Sequence, residues 1–225
     1  MAIQLISARD AALQNGIKVL IYGPAGSGKT VFCTSAADDE KTLIISAEGG
    51  LLSIQDNALV DICVVTSIDD VLEIYNHLKG DHPYKWVCLD SISEIAEVVL
   101  IAEKAKTKDP RQAYGALIDQ MTGLIRSFRD LPTNVVMTAK MDRVNDEHNN
   151  TMLFMPSMPG ARLAQSLAYF FDEVFCLRLT KNADGVIERS LQTSRDIQYE
   201  AKDRSGKLAP YEYPTLANIA TKIRN

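Results

Sequence analysis

Residues 17 to 30 constrain this chain more than any other stretch. Ile17-Lys18-Val19-Leu20-Ile21-Tyr22 is a short, β-branched apolar run that reads as a buried strand. It passes without a break into Gly23-Pro24-Ala25-Gly26-Ser27-Gly28-Lys29-Thr30, a full match to GxxxxGK[ST]. A helix-compatible segment, Val31 to Ala37, follows. Glycines in such a loop let backbone N–H groups turn inward around anionic oxygens. The helix that the loop opens adds its free N–H groups and dipole. In this arrangement Lys29 reaches the β- and γ-phosphates and the Thr30 hydroxyl ligates Mg²⁺. The expected ligands are therefore a nucleoside triphosphate and Mg²⁺, held by residues 23 to 30.

Further apolar runs extend the pattern. Thr42 to Ala47, Asp61 to Val65, Trp86 to Asp90, Asn134 to Ala139 and Glu173 to Leu179 read as strands. Between them, Ile68 to Leu78, about 92 to 105 and about 112 to 130 carry helical spacing. Alternating strands and helices imply a parallel sheet with right-handed crossovers. Asn182-Ala183-Asp184-Gly185 marks a hairpin turn, with Val186 to Thr193 and about Gln198 to Ala201 returning. Pro214 to Ile223 reads as a closing helix with Pro in its first turn. The expected fold is α/β: a mostly parallel central sheet flanked by helices, with a C-terminal antiparallel hairpin, as one domain over residues 1–225. Met141 to Gly160 shows no clear period and reads as a long functional loop.

Composition narrows the class. The 225 residues are 46% hydrophobic and 24% charged, an ordinary globular mixture. No apolar run is long enough for a membrane span, and the N-terminus lacks the pattern of a signal peptide, so a cytoplasmic protein is expected. The net charge of −5 speaks against a whole-surface grip on nucleic acid. Residues 178 to 225, however, hold nine Lys or Arg against six Asp or Glu, so a local basic strip remains open. Cys33, Cys63, Cys88 and Cys176 form no CxxC and read as reduced thiols. His77, His82 and His148 lack metal-ligand spacing and read as surface or loop residues.

Two acids complete the phosphate site. Asp90 ends an apolar strand about sixty residues beyond the loop, where a carboxylate can hold the Mg²⁺ shell. Ser91 either shares its network or caps the next helix. Glu48 follows the second strand and, in a parallel sheet, shares the rim with the Gly-rich loop. A carboxylate there can orient or deprotonate an attacking water. Its alternative is an acid in a Gly-rich turn.

The chain resembles the phage-encoded RecA-like ATPases of the single-strand-annealing class, a minimal RecA core. The resembling stretches are IKVLIYGPAGSGKT, TLIISAEGG, WVCLDS, NVVMTAK, PGARLAQSLAYFFDEVFCLRL and EAKDRSGKLAP, between about residues 17 and 212. The resemblance implies that Glu48 is the catalytic carboxylate and Asp90 the Mg²⁺ acid. Lys140 falls at or beside the position of a γ-phosphate-sensing Gln, a departure that also brings Thr138 into question. Residues 103 to 115, with Lys104, Lys106, Lys108 and Arg111, would form a first DNA loop. Residues 141 to 160, with Arg143 and Phe154, would form a second. Lys202 and Arg204 would reach the ATP of a neighbouring subunit in a ring or filament. Each group also has a plainer reading. The lysines can be a solvated helix end. Met152, Phe154, Met155 and Met158 can be core or a partner surface. Lys202 and Arg204 can be edge charges that discourage aggregation.

What the resemblance implies is a phage protein in the bacterial host cytosol. It would bind single-stranded DNA, hydrolyse ATP in a DNA-stimulated way and promote annealing or pairing, with a single-strand-binding protein as partner. A motor or loader ATPase acting on a partner protein is the first alternative. A small-molecule kinase is the second, and it would need more arginines in a lid than Arg143 alone supplies.

Overall fold

The computed structural model describes residue 7, residues 15–146 and residues 150–225. In chain order the described strands and α-helices are β1 (Lys18–Gly23), α1 (Lys29–Cys33), β2 (Thr42–Ser46), β3 (Val60–Val64), α2 (Ile68–Leu78), β4 (Trp86–Asp90), α3 (Ile92–Lys106), α4 (Pro110–Arg129), β5 (Asn134–Asp146), β6 (Thr151–Pro156), α5 (Ala161–Leu167), β7 (Glu173–Lys181), β8 (Ile187–Gln192), β9 (Lys202–Asp203), β10 (Tyr211–Glu212) and α6 (Leu216–Arg224).

Across the sheet the order is β10-β8-β7-β1-β5-β4-β2-β3. The strands from β7 to β3 are parallel, and β8 and β10 add antiparallel strands at one edge. The α/β class, the parallel centre and the C-terminal antiparallel strands are as expected from the sequence. Every residue of β1, β2 and β4 is buried. A parallel sheet covered on both faces needs such continuous apolar strands. Successive side chains alternate between two cores. Leu20, Tyr22, Ile45 and Leu89 pack with α3 and α4 on one face. Val19, Ile21, Ile44 and Cys88 pack with Phe32 and Ile219 on the other. The thiols of Cys33, Cys88 and Cys176 are buried and free. Among the described residues, no helix is long and apolar enough to cross a membrane.

Helix starts follow local chemistry. Ser67 accepts from the Asp70 N–H while Asp70 bonds back, a capping box for α2. Asp109 accepts from the Arg111 N–H, with Pro110 in the first turn of α4. Thr215 caps α6, so Pro214 lies just before the closing helix, not inside it.

Three other expectations are corrected. Met141 to Gly160 is not an aperiodic loop: β5 runs on to Asp146 and β6 returns against it from Met141↔Pro156 to Asp146↔Thr151. Residues 143 to 145 are exposed, so neither face imposes an apolar period on the sequence. Residues 103 to 115 are not the first loop that the resemblance implies but mostly helix, in keeping with the helical spacing at about 92 to 105 and 112 to 130 and with the plainer reading of the lysines. Lys104 and Lys106 lie in the last turn of α3, Arg111 in the first turn of α4, and only residues 107 to 109 connect them. Residues 198 to 201 are not a strand of the sheet. Tyr199 makes a single bridge to Phe154, and the segment that pairs with β7 is Lys202–Asp203. His148 lies outside the described residues.

One buried phenol ties the central strand to the hairpin. The Tyr22 hydroxyl lies 3.0 Å from the Phe154 carbonyl and 2.7 Å from the Glu200 carbonyl. The Phe154 ring stacks on Tyr199 at 4.8 Å, and the Arg178 guanidinium lies 3.5 Å from the centre of the Tyr199 ring.

Candidate functional site

The C-terminal ends of β1, β2 and β4 form one rim, and a cavity of about 870 Å³ opens there. Residues 23 to 30 wrap one side. Gly26 and Gly28 hold φ of 71° and 106°, a region that side-chain-bearing residues rarely occupy. The Ser27 N–H donates to the Pro24 carbonyl at 3.3 Å and closes the turn. Gly23 is needed for a different reason: a Cβ there would stand 3.0 Å from the Leu177 carbonyl oxygen of the neighbouring strand.

Lys29 extends its ammonium over the mouth of the loop, where it donates to the Gly23 and Pro24 carbonyls at 3.0 and 3.1 Å. Burial lowers its pKa, against the opposing pull of Glu48 and Asp90. An ammonium held by two backbone carbonyls in a half-dry site favours an anion that replaces its missing hydration.

Asp90 is 4% exposed, and both of its oxygens are engaged. Thr30 donates to Oδ2 at 2.6 Å and Thr138 to Oδ1 at 2.5 Å. The predicted metal residues thus stand in direct contact, although sixty residues separate them. Their donor set is a hydroxyl and a carboxylate, hard oxygens that suit Mg²⁺. Among the described residues, no group of three His, Cys, Asp or Glu side chains is arranged to hold a metal.

Glu48 follows β2 on the same rim and lines the cavity. Ser91 donates its hydroxyl to Glu48 Oε1 and also accepts from the Glu94 N–H at 3.2 Å. The helix-cap reading of Ser91 holds, and its hydroxyl joins Glu48, not the Asp90 carboxylate. Lys140 sits beside Gly23 in the register. Its ammonium pairs with Glu94 at 2.6 Å and Glu97 at 3.2 Å on α3, and the Glu94 bond raises its pKa. Thr138 is taken by Asp90.

The remaining predicted residues lie away from this cavity. The Lys202 ammonium donates to the Ala168 and Phe171 carbonyls at 2.6 and 2.5 Å, and Arg204 pairs with Asp172 at 3.1 Å. Both stand near the start of β7, at the opposite end of the sheet from the rim. Lys104 stands over the Tyr114 ring at 5.6 Å, and Lys106 pairs with Glu103. Lys108, Arg111 and Arg143 are exposed. Phe154 is stacked within the chain, as described above.

Sequence reasoning missed the other wall of the cavity. Arg189 on β8 lines it, as do Tyr213, Pro214 and Thr215 before α6. With Val31 and Phe32 they give the polar end of the cavity around Lys29 an aromatic and aliphatic extension. No local motif marks these residues. They reach the rim because β7 lies beside β1 and β8 and β10 extend the sheet from β7.

A family model described as an AAA domain matches residues 15–205. Among solved structures, the chain is similar to a KaiC-like protein from the hyperthermophilic archaeon Pyrococcus horikoshii OT3. That similarity has a TM-score of 0.47 and 14% identity, and it covers 79% of this chain and 77% of that one. Among curated proteins, none matches.

Proposed function

The chain belongs to the AAA-domain family, and on that premise we propose an ATP- and Mg²⁺-dependent recombination protein that binds single-stranded DNA and promotes its annealing or pairing. The observation that carries the ATPase part is the cluster under the cavity: Thr30 on Asp90, Ser91 on Glu48, and Lys29 across from both acids. Thr30 and Asp90 would hold Mg²⁺, which supplies charge neutralisation on the phosphates. Glu48 would accept a proton from the attacking water as its oxygen bonds to the γ-phosphorus and the bond to the β-γ bridging oxygen breaks. Lys29 would balance charge on the transferring group. The products are ADP and inorganic phosphate.

The DNA part rests on adjacency. Gly160, at the foot of the β5–β6 hairpin, abuts the Tyr114 ring, and Lys104 covers that ring. That contact supports reading the cations at the α3–α4 corner together with the hairpin that follows β5. Lys104, Lys106, Lys108, Arg111 and Arg143 would track the phosphate backbone. Phe154 would have to leave Tyr199 to stack on a base, so it is the least ready of the proposed contacts. Arg204, whose exposed guanidinium meets an exposed Asp172, would be offered to the ATP of a neighbouring subunit. Lys202 would have to leave the two carbonyls that hold it. A phage protein in a bacterial host cytosol, assembled as a homo-oligomer and working with a single-strand-binding protein, completes the reading.

The test is ATP turnover with and without single-stranded DNA, alongside gel shifts across salt. Neutralising Lys104, Lys106 and Lys108 should lower the salt slope by about 0.7 for each DNA phosphate that no longer meets a cation. DNA-independent turnover with no gel shift would defeat the DNA reading and leave the ATPase intact. A motor or loader acting on a protein partner would then take its place. The internal engagement of Phe154 and Lys202 is the observation that favours that second reading.

A further inference from the structure

We infer that Arg189 is a second phosphate-binding cation of the nucleotide site, supplied by the same subunit as the P-loop. The inference rests on the ATPase reading above. Parallel pairing of β7 with β1 ends at Tyr22↔Cys176, yet β7 continues to Lys181 with β8 alongside it. The hairpin thus runs past the end of β1 and stands beside the Gly-rich loop. Its turn is fixed locally: Asn182 Oδ1 accepts from the Asp184 and Val186 N–H groups at 3.0 Å each, and Gly185 holds φ at 78°. Register then sets Arg189 opposite Leu179, above the loop.

From there Arg189 Nε donates to the Ser27 carbonyl at 3.0 Å. A Cβ added at Gly28 would lie 3.5 Å from the same nitrogen, so the guanidinium rests on the Ser27–Gly28 segment. An arginine has five N–H donors, and this bond uses one. Among the described residues Arg189 has no carboxylate partner, unlike Arg129, Arg195, Arg204 and Arg224.

Charge makes the same point. The cavity is lined by two carboxylates, Glu48 and Asp90, and by two cations, Lys29 and Arg189. A polyphosphate entering without Arg189 would meet two acids and a single ammonium. A guanidinium fork suits phosphate oxygens, and its bond to Ser27 fixes its direction before the ligand arrives.

The experiment compares Arg189→Gln and Arg189→Lys with the unaltered protein, using a fluorescent ATP analogue with Mg²⁺ and thermal melts as a folding check. Lys29→Ala serves as the control for the P-loop. Gln still offers an N–H to the Ser27 carbonyl but carries no charge. Arg189→Gln should raise Kd about 10- to 100-fold, the worth of a charge-assisted bond. Arg189→Lys should recover a substantial part, because the charge returns without the fork. An unchanged Kd in Arg189→Gln makes Arg189 a bracket for the loop and overturns the proposal. Equal weakening in Gln and Lys does the same, because charge would then be irrelevant. If the unaltered protein binds no ATP, or Lys29→Ala binds as well as it does, the ATPase reading itself falls. Abolished binding in Lys29→Ala with normal binding in Arg189→Gln removes only the role given to Arg189.

Discussion

The two ends of the central sheet are built from the same strands and use charge in opposite ways. At the rim, Lys29, Glu48 and Asp90 lie around an open cavity, and their partners are hydroxyls and carbonyls that a ligand can join or displace. At the foot, Lys18 is 3% exposed and donates to the Leu131 and Thr133 carbonyls. Glu173, 2% exposed, faces Asp203, and its carboxyl is pushed up to about 8, first by burial and then by that acid. Ionisable groups at the foot close the chain on itself, while those at the rim line an open cavity. A polar group in a buried strand is thus informative only together with the end of the strand it occupies.

This contrast can be broken by substitution. Glu48→Gln should slow ATP turnover about 10²- to 10⁴-fold, the usual worth of a general base, with little change in melting temperature. Turnover that barely changes would move water activation elsewhere. Lys29→Ala should cost about 10²- to 10³-fold in turnover, the scale of removing one charge-stabilising donor from the transition state, again in a folded protein. Loss of the fold in either variant would erase the distinction between the ends.

The foot should respond to pH. The folded-state pKa of Glu173, near 8, lies above the ordinary value of 4.5, so the folded chain keeps a proton that the unfolded chain has released. That contribution is complete below about pH 4.5 and declines until about pH 8, by on the order of 5 kcal/mol. Burial lowers Lys18 to about 8, which makes its contribution rise again above that pH. Urea melts from pH 5 to 10 should show the minimum, and Glu173→Gln should remove the descending limb while leaving turnover in place. Lys18→Met should cost about 2 kcal/mol, because it leaves buried carbonyls unpaired. The smallest effect belongs to Ser91→Ala. It should lose about 1 kcal/mol as a helix cap and also slow turnover by freeing Glu48, so one residue tests both readouts.

Much of the rim was legible in the sequence because its parts are contiguous. The strand into Gly23, the Gly-rich loop and the acid-tipped strand at Asp90 each occupy one short stretch. The Thr30–Asp90 contact follows from parallel strands that all end on one side. The hairpin at 141 to 156 was not legible, because an exposed ribbon is held by backbone pairing that leaves no period in the side chains. At the α3–α4 corner the sequence left a DNA loop and a helix end both open, because a cluster of lysines looks the same in a loop and in a helix's last turn, and the structure gives the helix end. Arg189 was invisible for another reason: its role depends on β7 lying beside β1, a neighbour relation between segments 162 residues apart at the Ser27 contact.

The central location of β1 also governs when the protein can come into being. Both neighbours of β1 arrive late in the chain: Lys18 pairs with Val135 and Val19 with Glu173. During synthesis at about 5 to 20 residues per second, the first strand and its Gly-rich loop must wait several seconds or more for either flank. Until then an apolar strand with two open edges has no native partner. Contacts at such separations are slow to close, because loop entropy is given up before pairing rewards it. The nucleotide site therefore waits for strands that are made well after its signature. A ribosome-bound chain stalled before residue 173 should bind no ATP, and ATP binding becomes a marker that synthesis has passed β7.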